Sequence, residues 1–168
     1  MTPSPTGRRE TRNGFDSVVF DRTFRAPIES VWAALTESER LERWVGTWTG
    51  DLASGAVMFR MNAEGDEVKP ETMTIDECDP PRRLALTSNV EGEANVWHFL
   101  VELTEAAGTT TLTFSQSVPD PEMAAGVGPG WEYYLDRLVA AETGADVDAL
   151  DFGDYHPAQS DHYRAMFG

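Results

Sequence analysis

The sequence is poor in cysteine, in lysine and in long apolar runs, and each shortage excludes a class of protein. Cys78 is the only cysteine, so no disulfide can form within the chain, and a reducing, cytoplasmic setting is the simplest expectation. Lys69 is the only lysine, and 13 lysines and arginines stand against 29 aspartates and glutamates, a formal net charge of −16. This charge disfavours binding to nucleic acid or to an anionic membrane surface, since both attract basic residues.

The apolar residues are spread along the chain in short groups. No apolar run approaches the roughly 20 residues of a membrane-spanning helix. Residues 1–14 lack the apolar core of a secretory signal and hold proline, glycine and arginine, so we expect a disordered lead there. The length of 168 residues suits one domain with a buried core. We predict this domain over residues 15–144, followed by a tail over 145–168 with a short docking helix.

The spacing of apolar residues predicts the secondary structure. Alternation predicts strands over residues 15–25, 56–62, 71–79, 83–88, 94–105 and 109–118. A 3.6-residue period predicts helices from Ile28, from Glu37 to Trp44, and from about Pro129 to Thr143. Because the strands cluster between the helices without alternating with them, we predict an α+β fold, in which one antiparallel sheet packs against a long C-terminal helix.

The sequence carries no strong motif for catalysis, metal binding or nucleotide binding. His98 falls on the outward face of a strand, whereas His156 and His162 are six residues apart and do not share a helical face. Cys78 has acidic neighbours, which would raise the pKa of its thiol and disfavour a reactive thiolate. We therefore predict no catalytic residue, no metal and no cofactor, which favours a binding protein over an enzyme.

Three glycines, Gly126, Gly128 and Gly130, precede the last predicted helix. The spacing G-x-G-x-G superficially resembles a nucleotide-binding loop, but no parallel strand unit surrounds it. We therefore predict a flexible loop that could cover a cavity.

The inward faces of the predicted sheet and helix carry aromatic and methionine side chains. The converging residues are Trp44, Met58, Met73, Trp97, Phe99, Phe114, Trp131, Tyr134 and Leu138. Gln116 also falls on the inward face, where a purely structural core would hold an apolar residue, and Tyr134 adds a hydroxyl. We predict that these ten residues bind a ligand in an apolar cavity. The alternative for each of them is an ordinary core position.

Four stretches of the chain resemble, in the same order, the landmarks of one known family. They are Arg22–Pro27 with Val31-Trp32, Leu41 and Trp44; Asp79–Leu84, with its Pro-Pro-Arg-Arg turn; Thr110–Phe114; and Gly130–Glu132 with Leu135–Leu138. Together they resemble the activator of heat-shock-protein-90 ATPase homologue family of the START-like, or SRPBCC, superfamily. The resemblance spans about residues 15–141 and implies the helix-grip fold, a curved sheet around a long helix with a hydrophobic cavity between them.

The resemblance implies more than one function. Our first hypothesis is a protein that binds a small hydrophobic molecule in the cavity. An aromatase- or cyclase-type enzyme that acts in the same cavity, and a chaperone-associated stress protein, are the alternatives. Because the exterior is acidic, we expect a neutral or cationic apolar ligand. The identity of the ligand and the oligomeric state, with a homodimer among the alternatives, stay open.

Overall fold

The computed structural model describes residues 3–61, 71–89 and 96–168. In these ranges the strands are β1 (Arg8–Arg12), β2 (Phe15–Phe24), β3 (Gly46–Thr49), β4 (Ala56–Met61), β5 (Glu71–Asp79), β6 (Arg83–Asn89), β7 (Val96–Ala106) and β8 (Thr109–Ser117). The α-helices are α1 (Ile28–Thr36), α2 (Ser38–Leu41), α3 (Pro121–Thr143) and α4 (Ser160–Phe167). Short 3₁₀ turns occupy Leu52–Ser54, Val147–Ala149 and Phe152–Asp154.

The strands form a single antiparallel sheet in the order β1-β2-β8-β7-β6-β5-β4-β3. One face of this sheet packs with α1, α3 and α4 around a continuous hydrophobic core. The arrangement confirms the predicted α+β, helix-grip fold. Among the described residues, no helix is both long and apolar enough to span a membrane.

The hairpin of β7 and β8 shows how the sequence directs side chains to the core. Val101 pairs with Phe114 and Leu103 pairs with Leu112, and all four side chains are buried on the inner face. The intervening turn at Ala107-Gly108 has positive φ angles of 53° and 79°. Two consecutive positive φ angles match the twist of adjacent antiparallel strands, which keeps the pairing register and therefore the inward set intact.

Helix α3 begins eight residues before the predicted start. The Asp120 side chain accepts a hydrogen bond of 2.8 Å from the Met123 N–H, and Pro121 occupies the first helical turn. Both features favour helix initiation. The prediction of a flexible loop at Gly126–Gly130 is therefore wrong, because these residues lie inside α3. Gly128 is on a buried face of the helix, whereas Gly126 is exposed.

The predicted disordered lead instead contains β1. Residues 8–12 pair with β2 in the register Arg8↔Val19 to Arg12↔Phe15. The Arg8 guanidinium lies 2.6 Å from the Asp21 carboxylate, and its neighbours make similar ion pairs. The strand contains only polar residues, so no pattern of apolar residues predicts it. It forms because the edge of β2 is available for pairing and because nearby carboxylates form ion pairs with its arginines.

Two smaller differences concern the region after α1. The strand β3 was not predicted, and α2 covers only Ser38–Leu41 rather than 37–44. β3 pairs with β4 at the edge of the sheet, with Trp48 opposite Phe59. Residue 62 of one predicted strand and residues 94–95 of another lie outside the described residues.

Candidate functional site

A pocket of about 680 Å³ lies between the inner face of the sheet and the N-terminal half of α3. It is bordered by Leu35, Leu41, Trp44, Val45, Trp48, Phe59, Glu71, Met73, Leu84, Leu86, Trp97, Phe99, Val101, Phe114, Gln116, Glu122, Met123, Gly126, Val127, Gly130, Trp131 and Tyr134. We call this space the sheet–helix pocket. Most of its wall is aliphatic or aromatic, and the exposed residues Glu122, Met123 and Gly126 mark its opening beside the start of α3.

Eight of the ten residues predicted from the sequence border the sheet–helix pocket. They are Trp44, Met73, Trp97, Phe99, Phe114, Gln116, Trp131 and Tyr134. They come from the loop after α2, from β5, β7 and β8, and from α3, so the fold brings together residues up to 90 positions apart in the chain. Their role in binding a ligand stays a prediction.

The structure places Met58 and Leu138 elsewhere. Met58 is 44 % exposed, because the alternation of β4 turns its neighbours Val57 and Phe59 inward. Its sulfur accepts a hydrogen bond of 3.2 Å from the Thr72 hydroxyl on the adjacent strand. Leu138 is fully buried, but it lies one turn beyond Tyr134 on α3 and belongs to the solid core rather than to the pocket wall. The expectation that Met58 points toward the cavity is therefore wrong, whereas Leu138 occupies the ordinary core position that is the alternative for each of the ten residues.

The aromatic part of the wall is centred on Trp131. Its ring centroid lies 4.3 Å from that of Phe114, 5.8 Å from that of Tyr134 and 6.2 Å from that of Phe99. The rings are tilted against one another, as aromatic pairs prefer. Trp131 projects from α3 while Phe114 and Phe99 project from β8 and β7, so these contacts join the helix to the sheet at one side of the pocket.

Two other tryptophans have their polar atoms occupied away from the pocket. The Trp44 Nε1 donates to the Ala34 carbonyl at 3.0 Å, and the Trp48 Nε1 donates to the Thr36 carbonyl at 3.0 Å. Both acceptors lie at the end of α1, where helix carbonyls lack intrahelical partners. The indoles therefore complete the helix and offer the pocket only apolar surface.

Three polar side chains interrupt this apolar wall. The Gln116 Oε1 accepts a hydrogen bond from the Trp131 Nε1, and the Ser88 hydroxyl donates to the Glu71 carboxylate. Glu122 receives a hydrogen bond of 2.8 Å from the Arg164 guanidinium at the pocket opening. No lysine or arginine from the described part of the chain borders the pocket. Besides the Tyr134 hydroxyl, its polar character is thus set by an amide and two carboxylates.

The residues at the pocket opening were missed in the sequence. Glu122 and Met123 lie between the last predicted strand and the predicted loop, where the sequence analysis assigns no element, and Gly126 lies in that predicted loop. A signal for them exists, since Asp120-Pro121 followed by Glu122 is typical of a helix start. Glu71 was missed for a different reason: it begins β5, where alternation alone does not indicate which way the first side chain points.

The remaining candidate groups lie away from the pocket. The His98 ring stacks on Phe15 with centroids 3.8 Å apart, on the opposite face of the sheet. Cys78 is exposed, and desolvation together with the Asp79 charge raises the pKa of its thiol. In the described segments, no group of three or more histidine, cysteine or acidic side chains is arranged to hold a metal ion.

The sequence profile of the family described as activator of Hsp90 ATPase homolog 1-like protein matches residues 25–142. The chain belongs to this family. The matched range contains α1, α2, β3 to β8 and α3 except its last residue, and therefore every residue that borders the sheet–helix pocket. β1, β2 and α4 lie outside it. No functionally curated protein matches the chain.

Solved structures show how far the likeness extends beyond the family match. CalU16 from Micromonospora echinospora is 25 % identical, with a TM-score of 0.76 over 98 % of this chain and 97 % of that one. The protein encoded by gene BPP1335 of Bordetella parapertussis is 26 % identical, with a TM-score of 0.71 over 98 % and 94 %. DynU16, from the dynemicin biosynthetic locus, is 24 % identical, with a TM-score of 0.58 over 78 % of this chain and 49 % of that one.

Proposed function

We propose that this member of the family binds a small hydrophobic molecule in the sheet–helix pocket. The observation that carries the proposal is the space itself: about 680 Å³ lies open beside the hydrophobic core, between the sheet and α3. Pockets that hold drug-sized ligands have volumes of about 300–1,000 Å³ and mostly apolar walls with a few polar groups. Leaving so much apolar surface uncovered lowers stability, and a ligand that covers it would recover part of that loss.

The charges around the pocket support a neutral or cationic ligand. Glu71 and Glu122 contribute carboxylates to its wall, and the chain as a whole carries a net charge of −16. An anionic ligand would lose its hydration and meet repulsion on entry. As part of the proposal we assign the protein to the cytoplasm, with a small apolar molecule rather than nucleic acid or a membrane as its partner.

The space can be tested by filling it. N-phenyl-1-naphthylamine, a neutral dye that fluoresces in apolar surroundings, should bind the wild-type protein. Gly130 borders the pocket, and a Cβ at this position would meet no atom within 4 Å, so Gly130→Leu should fill the space without unfolding the protein. We expect this variant to lose most of the dye signal.

The matched control is Thr143→Leu, which adds a leucine to an exposed position on the last turn of the same helix. It should keep the signal of the wild-type protein. The proposal fails if neither the dye nor any compound of an apolar ligand screen binds the wild-type protein, or if the two leucine variants bind the dye equally.

An enzyme that acts in the same pocket is the second candidate, and the Glu71 carboxylate favours it. A carboxylate beside an apolar ligand can serve as a general base or acid. Glu71→Gln preserves the shape of the side chain. If the pocket performs such chemistry, this variant should still bind the ligand and should lose its conversion; unchanged conversion would exclude Glu71 from the reaction.

A further inference from the structure

Gln116 is a polar residue in the innermost part of an apolar wall. It lies on β8 between Val18 of β2 and Phe99 of β7, in the centre of the sheet, and only 6 % of it is exposed. An amide in such a place is costly unless its donors and acceptor are paired.

The contact with Trp131 fixes the orientation of this amide. An indole N–H can only donate, so it must face the Gln116 Oε1, and the Nε2 with its two N–H groups points away from Trp131. No described residue accepts a hydrogen bond from the Nε2, although Gln116 borders the sheet–helix pocket. The side chain thus presents a donor, and not an acceptor, to whatever fills the pocket.

The surroundings of this donor are flat and aromatic. Phe99, Phe114 and Trp131 lie within 6.2 Å of one another, measured between ring centroids, and all three border the pocket beside Gln116. Aromatic walls pack well against flat, conjugated molecules. The wall also carries the carboxylates of Glu71 and Glu122, which disfavour an anionic acceptor.

We propose that Gln116 determines the specificity of the pocket for a neutral, flat molecule that carries a carbonyl oxygen, which accepts a hydrogen bond from the Gln116 Nε2. Trp131 is the positioning residue, because its indole N–H holds the amide with the donor toward the ligand. This inference rests on the proposed function, since it requires that an apolar molecule occupies the pocket. A site built to pair with a polar group rejects the analogue that lacks the group, because its own donor is then left unpaired.

A pair of probes that differ by one oxygen tests this role. 9-Fluorenone and fluorene are both flat and neutral, but only the ketone has an acceptor. Equilibrium dialysis gives the dissociation constant of each probe for the wild-type protein and for Gln116→Met, which keeps the length of the side chain and removes the donor. We expect Gln116→Met to weaken fluorenone binding by about fivefold and to leave fluorene binding within about twofold of the wild-type value.

The decisive quantity is the ratio of the fluorenone to the fluorene dissociation constant, compared between the variant and the wild-type protein. The different hydration of the two probes cancels in this comparison. Trp131→Phe is the second variant: it retains an aromatic ring, removes the N–H that orients Gln116, and should raise the ratio of the fluorenone to the fluorene dissociation constant, as Gln116→Met should. It also decides the matter if Gln116→Met does not fold, which thermal melting would reveal.

The possible results separate this inference from the proposed function. If both probes bind and neither variant changes the ratio, the role of Gln116 is overturned while the binding function stands. If fluorene binding falls as much as fluorenone binding in both variants, Gln116 supports the pocket wall and does not recognise a carbonyl. If neither probe, nor N-phenyl-1-naphthylamine, binds the wild-type protein, both proposals are overturned.

Discussion

Three glycines of α3 show how much depends on a single Cβ atom. A Cβ at Gly128 would lie 2.3–2.6 Å from the ring of Tyr163, so the absence of a side chain allows α4 to pack against α3. A Cβ at Gly126 or Gly130 would meet no atom within 4 Å, and both residues border the sheet–helix pocket. Gly128 therefore allows the two helices to pack, whereas Gly126 and Gly130 leave space in the pocket.

Alanine substitutions should separate these roles by the sign of their effect on stability. Gly126→Ala should raise the free energy of unfolding by about 0.5–1 kcal/mol, since alanine favours a helix over glycine. Gly128→Ala should lower it by about 1–3 kcal/mol, because the ring of Tyr163 must move to accept the methyl group. Urea unfolding at equilibrium measures both values. Equal effects of the two substitutions would contradict the packing described for α3 and α4.

The residues of the pocket were predictable wherever alternation was unambiguous. Trp97 and Phe99 flank His98 on β7 and share a face with Leu103, while Glu102 lies on the other face, so their inward direction followed from the sequence. Met58 lies between Val57 and Phe59, and three apolar residues in succession do not indicate which of the two faces is inner. In the folded protein Val57 and Phe59 pack into the core, and Met58 therefore points outward.

At the scale of elements, a buried polar cluster ties both ends of the chain to α3. Glu132 is 2 % exposed, and it accepts hydrogen bonds from the Arg22 guanidinium at 2.9 Å and from the Tyr163 hydroxyl at 2.8 Å. The Thr6 backbone N–H and hydroxyl also donate to this carboxylate. On the next turn, Asp136 accepts from Tyr155 at 2.7 Å. The segment before β1, the middle of α3 and the tail therefore meet at one carboxylate.

Removing the cation from this cluster should be far more costly than removing one from the surface. Arg22→Met leaves the buried Glu132 charge without its partner, and we expect a loss of about 3–5 kcal/mol in the free energy of unfolding. The matched control is Arg164→Met, because the ion pairs of Arg164 with Glu122 and Asp161 are exposed and should contribute little to stability. Chemical denaturation of both variants gives the comparison; a similar loss in both would mean that the cluster is not a stabilising centre.

The same cluster should make stability depend on alkaline pH. Burial, followed by the nearby Glu132 and Asp136 carboxylates, raises the pKa of Tyr163 and of Tyr155 above the usual tyrosine value. Above about pH 10 the unfolded chain releases these protons while the folded protein retains them, so the unfolded state binds fewer protons and stability falls as the pH rises. We expect a loss of about 1.4 kcal/mol per pH unit for each tyrosine.

Urea unfolding between about pH 9 and pH 11 measures this slope. Tyr163→Phe should have a shallower slope than the wild-type protein, whatever its stability at neutral pH, and Tyr155→Phe should reduce the slope independently. If both phenylalanine variants keep the full slope, the tyrosines are not held in their neutral form by folding.

The elements that the sequence did not reveal are those held by distant partners. The hairpin of β7 and β8 has local signals in its alternation and turn, and the sequence predicted it almost to the residue. The start of α3 contains Gly126, Gly128 and Pro129, which disfavour a helix locally. That segment is helical because Asp120 caps it and because Gly128 packs against Tyr163, more than thirty residues later. β1 likewise depends on β2 for its pairing.

At the scale of the whole molecule, the net charge of −16 and the apolar pocket should together determine which ligand binds. The outer surface carries most of the charge, whereas the pocket wall has two carboxylates and no basic residue among those described. Such a distribution attracts cations and repels anions as they approach. The effect is long-range, so it should be sensitive to ionic strength in a way that hydrogen bonding at Gln116 is not.

Charged derivatives of one ring system should reveal this selection. At about 20 mM NaCl, the cation 9-aminofluorene should bind about tenfold more tightly than the anion fluorene-9-carboxylate, with neutral fluorene in between. At about 500 mM NaCl the difference should shrink severalfold, because screening shortens the range of the field, while fluorene binding should not weaken. Glu71→Gln should reduce the difference at low salt, since it removes a carboxylate from the pocket wall. Tighter binding of the carboxylate than of the amine would contradict the assignment of a neutral or cationic ligand, because the anion would then need a basic partner that the described pocket wall does not contain.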